Sequence, residues 1–272
     1  MTSGRARDRR VRHTERVDDI GRLADENLAL SWARVADHCG GAAVRIDGLQ
    51  LVATGLPVAF FNGAYLMTPT TDPDAAIDTA RTFMSEHGVP WLLWVRDDVD
   101  DALLAAGRRA GLTEGGGPPV MAMFPLVAPP ALPLGLEVRA IVDEAGIDDQ
   151  VDLASRGFGM PAEVARVMVG PSTLTDPDLA VFVGYVGDVP VSTSMLSVTG
   201  STVGVYTVAT PAEHRGRGYG AALSWAAVEE GRRRGCDHAV LQASVDGAPV
   251  YRSMGFVDAG RYRQLEWTLS DG

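Results

Sequence analysis

Residues 202–221 read TVGVYTVATPAEHRGRGYGA, and this stretch combines an apolar strand, a polar corner and a glycine-rich turn. The strand extends from Val203 to Val208, and the turn RGRGYG at 215–220 begins a helix that continues to Arg234. Alternating glycines let a backbone approach a ligand closely, and a helix start offers N–H groups without intrahelical partners. Such a helix start favours anions. The stretch therefore predicts a site for a phosphorylated cofactor.

The absence of lysine narrows the choice of cofactor, because all 24 basic residues are arginine. A P-loop and a pyridoxal phosphate Schiff base both need a lysine, so neither kind of site fits. A dinucleotide fingerprint needs Gly-x-Gly-x-x-Gly followed by an acidic residue about 20 positions later. The glycines here follow Gly-x-Gly-x-Gly instead and lie late in the chain.

The arrangement of Arg215, Gly218 and Gly220 resembles the pyrophosphate-binding motif of the GNAT superfamily of N-acetyltransferases, Gln/Arg-x-x-Gly-x-Gly/Ala. A second block follows in that family's order. It consists of a strand at 240–244, a short helix at 246–254, and Gly255-Phe256 before a last strand ending near Trp267. The resemblance extends over residues 136–270 and implies a GNAT fold, acetyl-CoA as cofactor and transfer of an acetyl group to an amine.

The resemblance also implies roles for individual residues. Tyr251 matches the general acid, a phenol of reference pKa about 10 that returns a proton to the departing thiolate. Ser244 matches a position that hydrogen-bonds the pantetheine amides. The other cofactor-binding candidates are Val208, Ala209 and Thr210 for the pantetheine arm and thioester carbonyl, and Arg215, Gly216, Arg217, Gly218, Tyr219, Gly220 and Ala221 for the pyrophosphate.

The general base stays unassigned at this stage. Some relatives of the family use a glutamate five residues before the Ser244 position, and Ala239 occupies that position here. Glu163, Glu213 and Glu266 are carboxylates that remain open as bases, but spacing singles out none of them.

The predicted fold class is α/β (α+β), with a mixed, mostly antiparallel sheet flanked by helices. A proline-rich linker at 128–135 divides the chain, because its prolines disfavour helix and central strand. Residues 136–272 form the predicted catalytic domain. Its remaining predicted elements are a strand at 136–141, one or two helices in 148–169, and a hairpin of strands 180–186 and 190–198.

Residues 17–127 resemble a degenerate copy of the same domain, and an unrelated α/β accessory domain is the alternative. The predicted strands are 44–52, 58–67, 91–95 and 120–125, and the predicted helices are 74–87 and 100–110. The segment 68–74 has no Arg-Gly loop, and Gly107 takes the place of Tyr251. A GNAT copy here would therefore have lost both the cofactor loop and the acid.

The composition limits the classes of partner that the protein is expected to bind. A net charge of −11 argues against binding nucleic acid, although residues 1–16 carry six arginines and are expected to form a flexible, solvated basic tail. No segment has the roughly 20 consecutive apolar residues of a membrane span. Cys39 and Cys236 provide neither a disulfide framework nor a metal site, which suits the cytoplasm. Monomer and homodimer are both compatible with the sequence.

Two classes of function remain. The first is an acetyl-CoA-dependent N-acetyltransferase acting on a small-molecule or peptide amine by direct attack in a ternary complex. The second is a non-catalytic acyl-CoA-binding or sensor protein. The absence of a glutamate at the position of Ala239 favours this second class. Transfer of an acyl group longer than acetyl is a variant of the first class.

Overall fold

The computed structural model describes residues 3–97 and 99–268, with side chains from residue 20 onward. The described part contains seven α-helices: α1 (Ser3–His38), α2 (Pro73–Glu86), α3 (Asp101–Arg109), α4 (Glu144–Phe158), α5 (Ala162–Met168), α6 (Tyr219–Arg233) and α7 (Ala248–Ser253). Its strands are β1 (Ala42–Ile46), β2 (Leu49–Ala53), β3 (Gly63–Leu66), β4 (Trp91–Arg96), β5 (Thr113–Gly116), β6 (Pro119–Met123), β7 (Leu136–Ala140), β8 (Leu179–Val186), β9 (Val189–Thr199), β10 (Thr202–Ala209), β11 (His238–Gln242) and β12 (Val257–Trp267).

The strands form one sheet in the order β1-β2-β3-β4-β12-β6-β11-β10-β9-β8-β7, with β5 also paired to β12. The neighbours β3–β4 and β10–β11 are parallel, and the other described pairs are antiparallel. Each parallel pair is joined through a helix, α2 in one half and α6 in the other. The predicted mixed, mostly antiparallel sheet is confirmed, and so is its duplication.

The two halves exchange their last strands. β6 precedes the proline-rich linker, yet it lies between β11 and β12, with Met123 opposite Ala239 and Ala122 opposite Val257. In return β12 pairs with β4, where Leu265 lies opposite Leu93. The boundary predicted at 128–135 thus separates two lengths of chain whose strands belong to a single sheet.

Alternation along the strands sorts their side chains onto two faces. On β4, Trp91, Leu93 and Val95 pack with the cluster that contains α2 and α3, whereas Trp94 packs with α1. On β11, Leu241 packs with α6. Helices α2, α3, α6 and α7 therefore cover one face, and α1, α4 and α5 cover the other.

Helix α1 anchors the centre of that second face. Arg96 Nε donates to Asp25 Oδ2 at 3.0 Å, and the Tyr262 hydroxyl donates to Asp25 Oδ1 at 2.8 Å. Burial raises the pKa of Asp25 to about 6, because the loss of hydration outweighs the attraction of Arg96. The Asn27 amide donates to the Ser197 carbonyl at 3.0 Å, so α1 is tied to both halves.

The predictions for the first half of the chain need three corrections. The predicted tail at 1–16 overlaps α1, which begins at Ser3. The predicted strand 44–52 is a hairpin, because Asp47 and Gly48 adopt φ of 41° and 79° and turn the chain. In 58–67 a 3₁₀ turn at Ala59–Phe61 precedes the short strand β3.

No helix in the described ranges is both long and apolar enough to cross a membrane.

Strand exchange makes a testable prediction about residues 136–272 expressed alone. Without β6, the contacts of Val120, Met121 and Met123, all at most 2% exposed, are lost from the sheet. At about 1.5–3 kcal/mol for each buried side chain, the loss is roughly 5–9 kcal/mol, comparable with the whole stability of a domain. We expect no cooperative thermal unfolding of this fragment by circular dichroism.

The control is the full chain with a protease site inserted between Pro129 and Pro130. After cleavage the two pieces should stay associated and unfold together, because the strand pairs remain. A dispersed amide NMR spectrum from isolated 136–272 would contradict the account.

Candidate active site

A gap opens in the sheet between β10 and β11. The two strands pair only at Thr202–Gly204, although β10 runs on to Ala209. The register of β10 against β9 shifts between Tyr206 and Ala209, where Thr207 adopts φ of 50°. Such a φ is unusual for a β-branched residue and marks a backbone held in a special conformation. The strands therefore separate toward their carboxyl ends.

The glycine-rich turn lies directly after the gap and begins α6. Gly216 and Gly218 adopt φ of 74° and 78°, and no side chain caps the helix. Among the described residues, the N–H groups of 216–221 have neither a backbone nor a side-chain acceptor. Six free donors at a helix start suit a pyrophosphate.

The two arginines of the turn differ. Arg215, predicted to bind the cofactor, donates to the carbonyl oxygens of Thr210 at 3.0 Å and of Gly157 at 3.3 Å, so it joins β10 to α4. The exposed Arg217 has no hydrogen-bond or ion-pair partner among the described residues. The guanidinium group of Arg217 is therefore free to meet a phosphate, and the cofactor-binding role of Arg215 stays a prediction.

The end of β10 is held by a side chain that sequence reasoning missed. Ser192 Oγ donates to the Ala209 carbonyl at 3.0 Å and lies 2.8 Å from Thr210 Oγ1. Ala209 is buried and pairs with Thr193 of β9, whereas Val208 faces the open gap. The three predicted pantetheine positions therefore lie together at one edge of the gap.

A cavity of 420 Å³ continues from the gap. Its wall includes Val208 of β10, Ser244 after β11, and Tyr251 of α7, so three predicted site residues meet there. Ser244 Oγ accepts the Gly247 N–H at 3.0 Å and holds the turn before α7. The structure thus brings the predicted acid and a predicted pantetheine contact to one space.

Tyr251 is protonated at neutral pH. Burial raises the pKa of its phenol, an effect that a hydrogen bond with Ser224 partly offsets. The ring meets Phe256 edge to face at 5.8 Å between centroids. A neutral phenol at the wall of this cavity has a proton to donate.

The carboxylates left open as bases lie elsewhere. Glu213 forms an ion pair with Arg156, Glu163 is exposed on α5, and Glu266 lies on β12 opposite Leu92. None of the three lines the cavity, and among the described lining residues no side chain carries a carboxylate or an imidazole.

Residues 152–256 match the model of the Acetyltransferase (GNAT) family. They form a GNAT domain. This match contains the glycine-rich turn, the gap and Tyr251, and it confirms the resemblance predicted from the motifs. No curated protein sequence matches the chain.

Solved structures with the same fold cover most of the chain. A GCN5-related N-acetyltransferase from Kribbella flavida is 20% identical, covers 90% of this chain and 95% of its own, and has a TM-score of 0.70. One from Sphaerobacter thermophilus is 17% identical, covers 81% and 80%, and has a TM-score of 0.59. A tandem GNAT protein from the clavulanic acid biosynthesis pathway is 15% identical, covers 80% and 78%, and also has a TM-score of 0.59.

In the first half of the chain, the segment before α2 corresponds to the glycine-rich turn, and its backbone N–H groups already have acceptors. At the start of α2, the carboxylate of Asp47 accepts the N–H groups of Thr71 and Asp72 at 3.1 and 3.3 Å. Asp100 Oδ2 accepts the N–H of Thr70 at 3.2 Å. A hydrogen bond from the Thr71 side chain, together with those from the Thr71 and Asp72 N–H groups, holds the pKa of Asp47 below its usual value, so the residue stays ionised at neutral pH. Two acidic side chains therefore occupy donors that a phosphate would need.

Sequence reasoning also missed the far wall of the cavity. Trp32 of α1, Phe60 of the 3₁₀ turn and Trp94 of β4 all come from the first half. A signal was present in α1, where the buried residues Ala24, Leu28, Trp32 and Val35 recur at helical spacing.

Proposed function

We propose that this protein is an acetyl-CoA-dependent N-acetyltransferase that acetylates the primary amine of a small molecule or peptide by direct attack in a ternary complex. The main support for the proposal is that three features adjoin one another: the glycine-rich turn, the gap in the sheet and the cavity. The unpaired N–H groups of 216–221 lie at the start of α6, the gap between β10 and β11 follows, and the cavity beyond it has Tyr251 in its wall.

The residues present fit the cofactor. The N–H groups of the turn bind the pyrophosphate, and Arg217 adds a positive charge beside it. The unpaired edge of β10 from 205 to 208 offers backbone hydrogen bonds to the pantetheine arm in place of the missing strand pairs. Acetyl-CoA supplies an activated thioester.

Tyr251 completes the transfer. As the neutral amine nitrogen bonds to the acetyl carbon and the carbon–sulfur bond breaks, Tyr251 would give its proton to the departing sulfur. The nitrogen would lose one proton to solvent, and Tyr251 would regain one from solvent. Val208 and its backbone position the thioester carbonyl at the edge of the gap.

Titration calorimetry with acetyl-CoA tests the cofactor site. We expect one site per chain, because Asp47 and Asp100 already hold the corresponding donors of the first half. Asp47→Ala should leave the stoichiometry at one, since Asp100 still accepts the Thr70 N–H. Two sites, or no binding at millimolar acetyl-CoA, would contradict the proposal. Binding of acetyl-CoA without release of free CoA thiol in the presence of any amine would favour the sensor class.

A further inference from the structure

The far half of the cavity is apolar and aromatic. Trp32 meets Phe60 edge to face at 5.6 Å, and Phe60 meets Trp94 at 6.2 Å between ring centroids. Met160, Met168 and Met195 complete this part of the wall. Thioether side chains pack well against aromatic rings. The wall therefore suits an apolar body with an aromatic ring.

The described residues that line the same cavity provide no carboxylate to pair with a cation. An alkylamine with the pKa of lysine, about 10, is neutral in only roughly one molecule in a thousand at pH 7. Its ammonium form must be desolvated to enter, which is costly without a paired carboxylate. The described lining residues provide no such carboxylate, and none that removes a proton from the amine.

We propose that the acceptor is a small, uncharged arylamine. This proposal rests on the proposed acetyltransferase function and specifies its substrate class. The aromatic ring packs against Trp32, Phe60 and Trp94, and the nitrogen points toward Tyr251. An arylamine is weakly basic and neutral at pH 7, so the reaction needs no general base.

The transfer balances without a further reactant. The neutral nitrogen forms a bond to the acetyl carbon while the carbon–sulfur bond breaks. Tyr251 protonates the sulfur, the nitrogen releases one proton to water, and Tyr251 regains one from water. The products are an arylacetamide and free CoA.

Two isomeric amines of equal size test the substrate class: p-toluidine, an arylamine, and benzylamine, an alkylamine. With the full chain and acetyl-CoA at pH 7, we expect kcat/KM for p-toluidine to exceed that for benzylamine at least tenfold. The rate with p-toluidine should stay flat between about pH 6.5 and 9, whereas that with benzylamine should rise about tenfold per pH unit as the neutral amine forms. Equal or better turnover of benzylamine or of a peptide amine would overturn the proposal.

The location is tested by Phe60→Ala, with Phe83→Ala as its matched control. Phe60 lines the cavity and is 46% exposed, whereas Phe83 packs on His87 outside it. We expect Phe60→Ala to raise KM for p-toluidine at least fivefold with an unchanged Kd for acetyl-CoA. An unchanged KM would contradict the location, and Phe83→Ala should behave like the wild type.

Binding without cofactor separates this proposal from the one on which it rests. Quenching of tryptophan fluorescence at pH 7 measures the binding of each amine. The wild type should bind p-toluidine more tightly than benzylamine, and Phe60→Ala should bind p-toluidine more weakly than the wild type does. Absence of acetyl-CoA binding in a protein that still binds the arylamine would overturn the proposed function, and the role of the arylamine as acceptor with it. Absence of arylamine binding, in a protein that binds acetyl-CoA, would overturn the substrate class alone.

Discussion

Gly218→Asp is expected to weaken acetyl-CoA binding by about 100-fold or more, which corresponds to roughly 2.8 kcal/mol. Gly218 precedes α6 with φ of 78° and lies among the free N–H groups of 216–221. An aspartate there places a carboxylate beside those donors, where it competes for them and repels the pyrophosphate. Titration calorimetry measures the change in Kd.

Gly235→Asp separates charge at the turn from backbone strain. Gly235 follows α6 with φ of 90°, and a Cβ added there meets nothing within 4 Å, so the substitution brings comparable strain away from the turn. This variant should bind acetyl-CoA as the wild type does. Equal weakening in both variants would show that strain, not loss of the phosphate site, explains the first result.

Tyr251→Phe is expected to lower kcat by about 10²-fold or more, in the range typical of a lost general acid. The hydroxyl is removed while the ring contact with Phe256 is kept, so the Kd for acetyl-CoA should not change. The measurement is steady-state release of free CoA with an arylamine, together with calorimetry for the cofactor.

Tyr185→Phe is the matched control for that variant. The Tyr185 hydroxyl on β8 donates to Asp149 of α4 and lies outside the cavity, so its removal should leave kcat unchanged. A Tyr251→Phe enzyme with wild-type kcat would show that another group protonates the sulfur.

The sequence predicted the parts of the site that depend on local chemistry. Gly216 and Gly218 are needed because the chain adopts positive φ there, and the apolar spacing that follows them predicts α6. Both signals lie within 20 residues. The protein contacts of Arg215 could not be predicted in this way. Its side chain reaches the carbonyl of Gly157, a contact that depends on where α4 packs and that no local pattern reveals.

Strand exchange could not be predicted in the same way. β6 is a short apolar strand, PVMAM, that suits any buried position in a sheet, so its sequence does not state which half supplies its partners. The acidic side chains at the start of α2 illustrate the same limit. The absence of an Arg-Gly loop at 68–74 was visible, but Asp47 reaches that site from the turn between β1 and β2.

The arylamine cavity depends on packing between the two halves. Trp32, Phe60 and Trp94 are far apart in the chain, and Trp32 joins the other two rings because α1 crosses the sheet beside the gap. Gly204 permits this crossing, since a Cβ there would clash with the Asn27 side chain of α1.

A crystal structure of the protein with CoA tests the central claim most directly. We expect pyrophosphate oxygens about 2.7–3.2 Å from backbone nitrogens within 216–221, with the pantetheine arm between β10 and β11. CoA bound at 68–74, or outside the gap, would contradict it.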